Sequence, residues 1–457
     1  MSGVSRAHLM SRVKSMMRGQ AAAGFDAENR NGAGAAPAAE FRGRATNFST
    51  LPGFDDLRTQ RAVADRLGLD SPYFHVHQER AGARTVIDNR EFLNFSSYDY
   101  LGLNGHPEVI AAAKAALDRY GVSASASRLV AGERPAHLSL ERALADHYEA
   151  DDCIVFVSGY VTNVSVISHL VGAQDLIIYD AQIHNSAVVG SLLSKACRRS
   201  FPHNDLDGLE SILAACRNQY DRCLILVEGL YSMDGDCPDL ARLVQIKNRY
   251  GAWLMVDEAH ALGTLGATGR GIAEHAGVDP RQVDIWMGTL SKTLAGCGGY
   301  IAGCRDLIDY LKFSVGAFVY SVGLPPAIAA ACETALSLLH AEPERVRRQQ
   351  HNSRRFVDLA HARGLDTSNA AGTAVMPVIV KDSLAAVLLS QQLFRRGINV
   401  QPIIPPAVPA KASRLRFFIT SEHSERDLSS TVDVLVEELE QLSIGKLFGT
   451  RLRPGSL

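Results

Sequence analysis

The chain has 457 residues, enough for two or three domains, and its hydrophobic (46%) and charged (21%) fractions are those of a globular protein with a large core. Its 47 basic and 49 acidic residues give a formal net charge of −2, which argues against a nucleic-acid-binding surface. Its 8 cysteines form no CxxC pair, so we expect free thiols in a reducing compartment and a cytoplasmic location.

Residues 1–47 are predicted to form a flexible extension, because residues 20–40 are rich in Ala and Gly and lack periodicity. The first twenty residues carry basic side chains and no acidic one, so a mitochondrial transit peptide is the alternative to a plain or partner-docking tail. No transmembrane segment is predicted, since glycines and prolines interrupt the longest uncharged stretch, residues 314–332. The role of residues 1–47 stays open.

The remaining chain is predicted to be an α/β protein in three parts. In the N-terminal segment, residues 48–106, two short apolar runs flank a turn at Asp88-Asn89-Arg90. Residues 107–340 alternate helices with short apolar strands, which predicts a large domain with a mostly parallel sheet. Predicted helices there are 108–120 and 138–148, and predicted strands are 153–157, 176–179, 223–227 and 253–256. Residues 341–457 are predicted to form a smaller α/β domain, with helices at 344–363 and before Gly397 and strands at 375–380 and 414–419.

Two runs in the large domain carry groups suited to a carbonyl cofactor. A predicted buried strand ends at Asp257, with His260 three residues later, at the sheet edge where ligands bind. About thirty residues on, Lys292 stands between small hydroxyl residues and is followed by a glycine-rich run. Such a lysine suits a Schiff base, neighbouring hydroxyls can donate to phosphate, and a separate carboxylate keeps a pyridine nitrogen protonated. Alone each run is weak evidence, because most lysines are surface charges; their order and spacing together are more specific.

The chain resembles the α-oxoamine synthase family of fold-type I pyridoxal-phosphate (PLP) enzymes. That family includes serine palmitoyltransferase, 5-aminolevulinate synthase, 2-amino-3-ketobutyrate ligase and 8-amino-7-oxononanoate synthase. The similarity runs from about Phe92 to His423 and rests on several separate motifs. They are NFSSYDYLG at 94–102, SRLVAG at 127–132, VSGY at 157–160, DAQIH at 180–184, EGLYSMDGD at 228–236, DEAH at 257–260, TLSK at 289–292 and RLR at 414–416.

The resemblance implies PLP as the cofactor, no metal, and a homodimer with active sites at the subunit interface. Lys292 is implied to bind the cofactor aldehyde and to remove the substrate Cα proton, with Asp257 at the pyridine nitrogen and His184 stacked on the ring. The other implied cofactor contacts are Ser158, Gly159, Tyr160, Thr289 and Ser291 at the phosphate, His260 and Ser232 near the ring hydroxyl, and Ser321 of the partner subunit. Arg416 is implied to grip the substrate carboxylate, and Tyr98 to contact substrate.

Three of these residues have plainer alternatives. His184 follows an apolar strand, where a hydrogen-bonded core histidine is common. Arg414 competes with Arg416 for the carboxylate, and Ser232 would serve equally to cap the turn that follows it.

The implied reaction is a decarboxylative Claisen-type condensation of an amino acid with an acyl thioester, giving an α-aminoketone, CO2 and a free thiol. With Tyr98 at its centre, the run at 96–100 resembles the corresponding run of serine palmitoyltransferase-like enzymes. The run Ser123–Glu133 and Phe201-Pro-His-Asn204 resemble domains that off-load chains from carrier proteins. We therefore expect a long-chain acyl-CoA or an acyl carrier protein as donor.

The alternatives are 8-amino-7-oxononanoate synthase, a class I/II aminotransferase, and a non-catalytic partner subunit, which would lack Lys292. Serine, alanine and glycine all remain open as the amino acid.

Overall fold

The structure is a computed structural model that describes residues 47–68 and 70–448. Its strands are β1 (Arg84–Ile87), β2 (Arg90–Asn94), β3 (Asp152–Phe156), β4 (Leu176–Asp180), β5 (Cys197–Phe201), β6 (Cys223–Glu228), β7 (Trp253–Asp257), β8 (Ile285–Thr289), β9 (Gly299–Gly303), β10 (Val375–Ile379), β11 (Ile398–Asn399), β12 (Gln401–Ile403) and β13 (Arg414–Phe418). Except for residue 47, the predicted flexible extension lies outside the described residues.

The helices are α1 (Phe54–Leu67), α2 (Pro107–Tyr120), α3 (Pro135–Tyr148), α4 (Gly159–Leu170), α5 (Asn185–Leu193), α6 (Leu206–Cys216), α7 (Leu240–Tyr250), α8 (Ile272–Ala276), α9 (Arg305–Ser314), α10 (Gly316–Val319), α11 (Pro326–Ala341), α12 (Pro343–Ala362), α13 (Ser383–Arg395) and α14 (Glu425–Phe448). No helix of the described segments is long and apolar enough to cross a membrane.

A seven-stranded sheet in the order β3-β9-β8-β7-β6-β4-β5 forms the centre of the large part. Strands β5, β4, β6, β7 and β8 pair in parallel, and β9 runs antiparallel to its neighbours β8 and β3. The predicted mostly parallel sheet is therefore confirmed. Strands β5, β8 and β9 are not among the strands that the sequence pattern predicts.

Both faces of this sheet are buried, which explains the uninterrupted apolar strands. In β6, Leu224 and Leu226 pack into one hydrophobic cluster, whereas Ile225 and Val227 pack into another on the opposite face. Successive side chains of a strand point to opposite faces, so a strand covered on both sides needs apolar residues at every position.

Strands of the C-terminal part take part in two smaller, three-stranded sheets. Strands β10, β13 and β12 form an antiparallel sheet in that order. The N-terminal hairpin β1–β2 turns at Asp88 and Asn89, which both have positive φ as a tight two-residue turn requires. Strand β2 then pairs in parallel with β11, so the N-terminal hairpin is attached to the C-terminal part of the chain.

The fold brings together chain segments that are far apart in sequence. Strands β4, β6, β7 and β8 are parallel neighbours, so the segments after them emerge at one edge of the sheet. Those segments lead to His184, Ser232, His260 and Lys292. This is the edge at which open α/β sheets bind ligands.

Candidate active site

A cavity of about 170 Å³ lies at this sheet edge. Nine residues predicted from the sequence line it: Ser158, Gly159, Tyr160, His184, Asp257, His260, Thr289, Ser291 and Lys292. Five further residues line it without having been predicted: Asn163, Ser186, Glu228, Ala259 and Met287. Ser232, Ser321, Tyr98 and Arg416 are predicted residues outside this lining.

Asp257 is the last residue of β7, and its carboxylate is held by two donors. The Asn163 Nδ2 donates to Oδ2 over 2.9 Å, and the Ala259 N–H donates to Oδ1 over 2.9 Å. The carboxylate is buried at 8% exposure. Asn163 therefore fixes Asp257, and sequence reasoning missed it because it lies one turn inside α4, in an apolar run.

His184 is connected to Asp257 through the same asparagine. The Asn163 Nδ2 also donates to the Ser186 hydroxyl oxygen over 3.0 Å, and that hydroxyl lies 2.7 Å from the His184 Nδ1. The Ser186 backbone N–H also donates to Nδ1 over 3.3 Å, so Nδ1 is an acceptor and the neutral His184 ring carries its proton on Nε2. Burial lowers the pKa of His184, although the charge of Asp257 opposes this shift.

Lys292 follows β8 and directs its amine into the cavity. Burial lowers the pKa of Lys292 to about 8, although the carboxylates of Asp257 and Glu228 favour the ammonium. Its Nζ lies 5.5 Å from the centre of the Tyr98 ring. An amine with a lowered pKa is more often neutral near pH 8, and the neutral amine is the form that attacks an aldehyde or accepts a proton.

Glu228 is an acidic group of this site that the sequence reading did not assign. It ends β6, directly beside Asp257 in the strand register, and is only 3% exposed. Burial, and then the charge of Asp257, raise the pKa of Glu228 to about 8. The Ser232 N–H donates to its Oε2 over 3.2 Å, whereas its Oε1 has no hydrogen-bond partner among the described residues.

The wall beside the amine is aromatic. The Tyr100 hydroxyl lies 2.7 Å from the His260 Nδ1, and the Tyr98 and Phe418 rings pack around that imidazole. Burial, and then the positive charges nearby, lower the pKa of His260 far below its usual range. Tyr98 remains 40% exposed, so its ring lies at the mouth of the site.

The start of α4 also lines the cavity, with Ser158 as the N-cap and Gly159 as the first residue. A side chain at Gly159 would place its Cβ 3.0 Å from the Thr289 hydroxyl oxygen, so this strand end and helix start are in close approach. The Thr289 hydroxyl donates to the Gly298 carbonyl over 2.9 Å. Free N–H groups at a helix start, together with neighbouring hydroxyls, form an anion site.

The two candidate arginines of β13 differ in what they contact. Arg414 is buried, forms an ion pair with Asp234, and donates to the Met233 carbonyl over 2.8 Å. Arg416 is half-buried, and one of its nitrogens donates to the Ser232 carbonyl over 2.9 Å. The Arg416 Nε has no hydrogen-bond partner in the described structure. Arg416 therefore keeps donors for a ligand, whereas Arg414 is already paired.

Ser321 stands apart from the cavity of its own chain. It follows α10 and donates to the Val322 carbonyl over 3.3 Å. Its neighbours Tyr320 and Val322 are exposed at 89% and 49%.

Comparison with known proteins gives concordant results. The aminotransferase class I and II family matches residues 90–435. A putative 8-amino-7-oxononanoate synthase of Gloeobacter violaceus is 40% identical over 373 residues, covering 80% of this chain and 92% of that protein. An 8-amino-7-oxononanoate synthase of a Methylobacterium species is 43% identical over 356 residues, covering 78% of this chain and 89% of that protein. The structure of Sphingomonas wittichii serine palmitoyltransferase superposes with a TM-score of 0.83 at 32% identity, covering 86% of this chain and 99% of that one.

Proposed function

The chain belongs to the α-oxoamine synthase family of fold-type I PLP enzymes, and as a PLP-dependent acyltransferase of that family we propose that it joins an amino acid to an acyl thioester with loss of CO2. The products would be an α-aminoketone and a free thiol. One observation carries the proposal: the Lys292 amine, the Asp257 carboxylate and the anion site at Gly159 line one cavity at the ligand edge of the sheet.

The residues that line the cavity, together with Ser232 outside its lining, fit PLP. We assign Asp257 to the pyridine nitrogen, His184 to the ring face, and His260 with Ser232 to the ring hydroxyl. The N–H groups of the α4 start, from Ser158 to Tyr160, and the hydroxyls of Thr289 and Ser291 would hold the phosphate. Gly159 supports this fit, because any side chain there would fill the cradle beside Thr289. PLP supplies an aldehyde for Lys292 and a ring that withdraws electrons from the substrate Cα.

The protein's own groups then divide the work. Arg416 binds the carboxylate of the amino acid through its unpaired donors, and so orients the Cα substituents. The Lys292 amine is the base that takes the Cα proton and later returns it. Asp257, fixed by Asn163, would pair with the ring nitrogen. The Tyr98 and Phe418 rings beside His260 limit the access of water.

For the acyl donor, we propose a seven-carbon dicarboxylic thioester, with alanine as amino acid. The support is the name of the curated relatives, since carbons 8 and 9 of 8-amino-7-oxononanoate match alanine after CO2 loss and carbons 1 to 7 match a dicarboxylic acyl group. A second candidate is a long-chain or carrier-borne acyl group, with serine as the amino acid. It is supported by the aromatic mouth at Tyr98 and by the likeness to serine palmitoyltransferase structures.

The test measures CO2 release from carboxyl-labelled amino acids by the purified holoenzyme. Pimeloyl thioesters with alanine are compared with palmitoyl thioesters with serine, each acyl group on both CoA and acyl carrier protein. We expect thioester-dependent CO2 release that is fastest with the pimeloyl donor. A faster palmitoyl or carrier-borne reaction would favour the second candidate, and amino transfer to a keto acid without CO2 release would make the enzyme an aminotransferase.

The covalent attachment is tested separately. The holoenzyme should absorb near ~420 nm, and borohydride reduction should abolish that band and leave the cofactor on the Lys292 peptide. The Lys292→Ala variant is the control and should show neither change.

We further propose that the chain acts as a homodimer in the cytoplasm, with Ser321 reaching the phosphate of the partner subunit's site. The position of Ser321 outside its own cavity, between two exposed apolar residues, supports this.

We also propose the division into an N-terminal segment (48–106), a large PLP-binding domain (107–340) and a small domain (341–457). All pairs of the seven-stranded sheet lie within the large domain, and β10 to β13 lie within the small one.

A further inference from the structure

His203 lies between two carboxylates, outside the lining of the cavity. It follows β5, and its Nδ1 lies 2.9 Å from the Asp180 Oδ1 while its Nε2 lies 2.9 Å from the Asp236 Oδ2. Its side chain is 15% exposed, and those of Asp180 and Asp236 are 0% and 13% exposed. Burial alone would lower the pKa of His203, but the two carboxylates outweigh it and raise the pKa to about 10. The imidazolium therefore bridges two buried anions at neutral pH.

One of these anions belongs to the loop that follows β6. Within this loop, residues 229–237, the Tyr231 N–H donates to the Asp236 carbonyl over 2.9 Å and the Gly235 N–H donates to the Tyr231 carbonyl over 3.0 Å. The Tyr231 ring also packs edge-on against the His203 ring, with centres 4.5 Å apart. The loop is thus a compact unit that His203 holds from behind through Asp236.

The front of the same loop holds Arg416. The Ser232 carbonyl accepts from Arg416 over 2.9 Å, in the one hydrogen bond to oxygen that this guanidinium makes within the described residues. Gly235 lies against β10, where an added Cβ would come within 2.0 Å of the Val375 carbonyl oxygen. A shift of the loop would therefore move the Ser232 carbonyl and change the direction of the Arg416 fork.

The other anion leads to His184. Asp180 ends β4, and its Oδ1 accepts from the Gln182 N–H over 2.8 Å while its carbonyl accepts from Ile183 over 3.0 Å. These bonds shape the turn that ends at His184. His203 consequently ties the turn carrying His184 to the loop that orients Arg416.

We propose that His203 is a positioning residue, which fixes the 229–237 loop against β4 and thereby aims Arg416 at the carboxylate of the amino-acid substrate. This inference rests on the role proposed above for Arg416. His203 does not line the cavity, so its influence on the substrate passes through the loop.

The test is a binding titration of the holoenzyme that needs no thioester. The cofactor absorbance is followed while alanine or serine is added, and in parallel while ethylamine or ethanolamine, their counterparts without a carboxylate, is added. His203→Asn should raise the Kd of the amino acids about tenfold and leave the Kd of the amines within about twofold. When His203→Asn is combined with Arg416→Lys, the effects of the two substitutions on the amino-acid Kd should be less than additive, because both act on the same carboxylate contact.

The matched control is His361→Gln, which removes an imidazole whose hydrogen bond in the described structure is to Thr367, and it should change neither Kd. If His203→Asn fails to retain cofactor, Asp236→Asn loosens the same bridge from its other end and should give the same split between amino acids and amines. Equal weakening of both ligand classes, or no weakening, would overturn the proposal. Since amino-acid binding is read directly, the result is independent of whether any thioester is a substrate.

Discussion

At the scale of single residues, the site contains two neighbouring carboxyl groups, Asp257 and Glu228, which differ in their hydrogen-bond donors. Asp257 receives hydrogen bonds from the Asn163 side chain and the Ala259 N–H, whereas Glu228 is held by backbone N–H groups, including that of Ser232. Adjacent buried carboxylates resist ionising together, and burial, followed by the charge of Asp257, raises the pKa of Glu228 to about 8. Glu228 therefore ionises in the same pH range as the Lys292 amine, and each group changes the charge that the other experiences.

The rate of PLP uptake by the cofactor-free protein should follow the neutral amine of Lys292. Below pH 8 it should fall about tenfold per pH unit, because burial has lowered the Lys292 pKa to about 8, and above that pH it should level off. Glu228→Gln removes a charge that favours the ammonium, so the midpoint should move to lower pH. Glu258→Gln is the matched control, because that carboxylate accepts from the Ile272 N–H outside the cavity. An unshifted midpoint in Glu228→Gln would contradict this coupling.

Exchange of Arg416 for lysine should weaken amino-acid binding. Lysine carries the charge but not the planar fork, and loss of one charge-assisted hydrogen bond costs about 1.5–3 kcal/mol, hence about 10- to 150-fold in Kd. Arg414→Lys should instead lower the melting temperature and change the Kd little, because Arg414 is paired with Asp234. Spectral titration with alanine and thermal unfolding separate the two effects. The opposite pattern would assign the carboxylate to Arg414.

At the scale of elements, a buried ion pair joins the helical turn at residues 128–132 to α3 and β3. The Arg128 Nη2 donates to the Glu141 Oε2 over 2.9 Å, and Glu141 also accepts from the Val155 N–H over 2.8 Å. Both side chains are almost fully buried, at 2% and 3% exposure. The motif that contains Arg128 therefore has a packing role in this chain, beyond the substrate preference read from its sequence.

Arg128→Met should destabilise the protein by about 3–5 kcal/mol, because it leaves the Glu141 carboxylate buried without its main partner. The Lys312 amine lies 3.5 Å from that carboxylate and remains as a partner, so we expect the loss of unfolding free energy to be near the lower value. In Glu141→Gln the amide still accepts from Val155, so the loss should be smaller. Urea unfolding of the holoenzyme measures both, and equal losses in the two variants would contradict the buried-charge explanation.

At the scale of the whole molecule, several large apolar side chains on the segment before Ser321 and on its neighbouring segment are exposed. Tyr320 is 89% exposed, Phe313 72%, and Val130 81%. The two segments that carry these residues are adjacent, because the Gly323 N–H donates to the Ala126 carbonyl over 3.1 Å. Exposed apolar side chains on adjacent segments fit an interaction surface and therefore the proposed homodimer.

The double substitution Tyr320→Glu and Val130→Glu should convert the dimer to a monomer at micromolar concentration, because each charge would be buried at the interface. Analytical ultracentrifugation measures the mass, and PLP retention should fall with it if Ser321 of the partner subunit contacts the phosphate. Leu384→Glu, on α13, introduces a charge at a 44% exposed position and should leave the dimer intact. A wild-type chain that sediments as a monomer would refute the homodimer itself.

The sequence by itself determined the parallel core and most of the cavity. Strands such as β6 are recognisable because burial on both faces demands apolar residues at every position. Asp257 is read from the end of a predicted strand, and Lys292 from the hydroxyl residues and glycines that flank it. Strand β5 was not predicted because it is an edge strand in which Arg198 and Arg199 are exposed. The glycine-containing β8 and β9 lacked a strand pattern, and the antiparallel direction of β9 is a property of the sheet.

Only the tertiary structure decided which groups share the site. Glu228 is 29 residues from Asp257 in sequence, and strand register makes them neighbours. Arg414 and Arg416 are equivalent candidates in the sequence, yet in the described structure Asp234 forms an ion pair with Arg414, and the Arg416 Nε has no hydrogen-bond partner. His203 gained its bridging position through two carboxylates that arrive from β4 and from the loop after β6. Local sequence patterns encode burial and strand ends, whereas the contacts between those ends depend on the register and packing of the whole sheet.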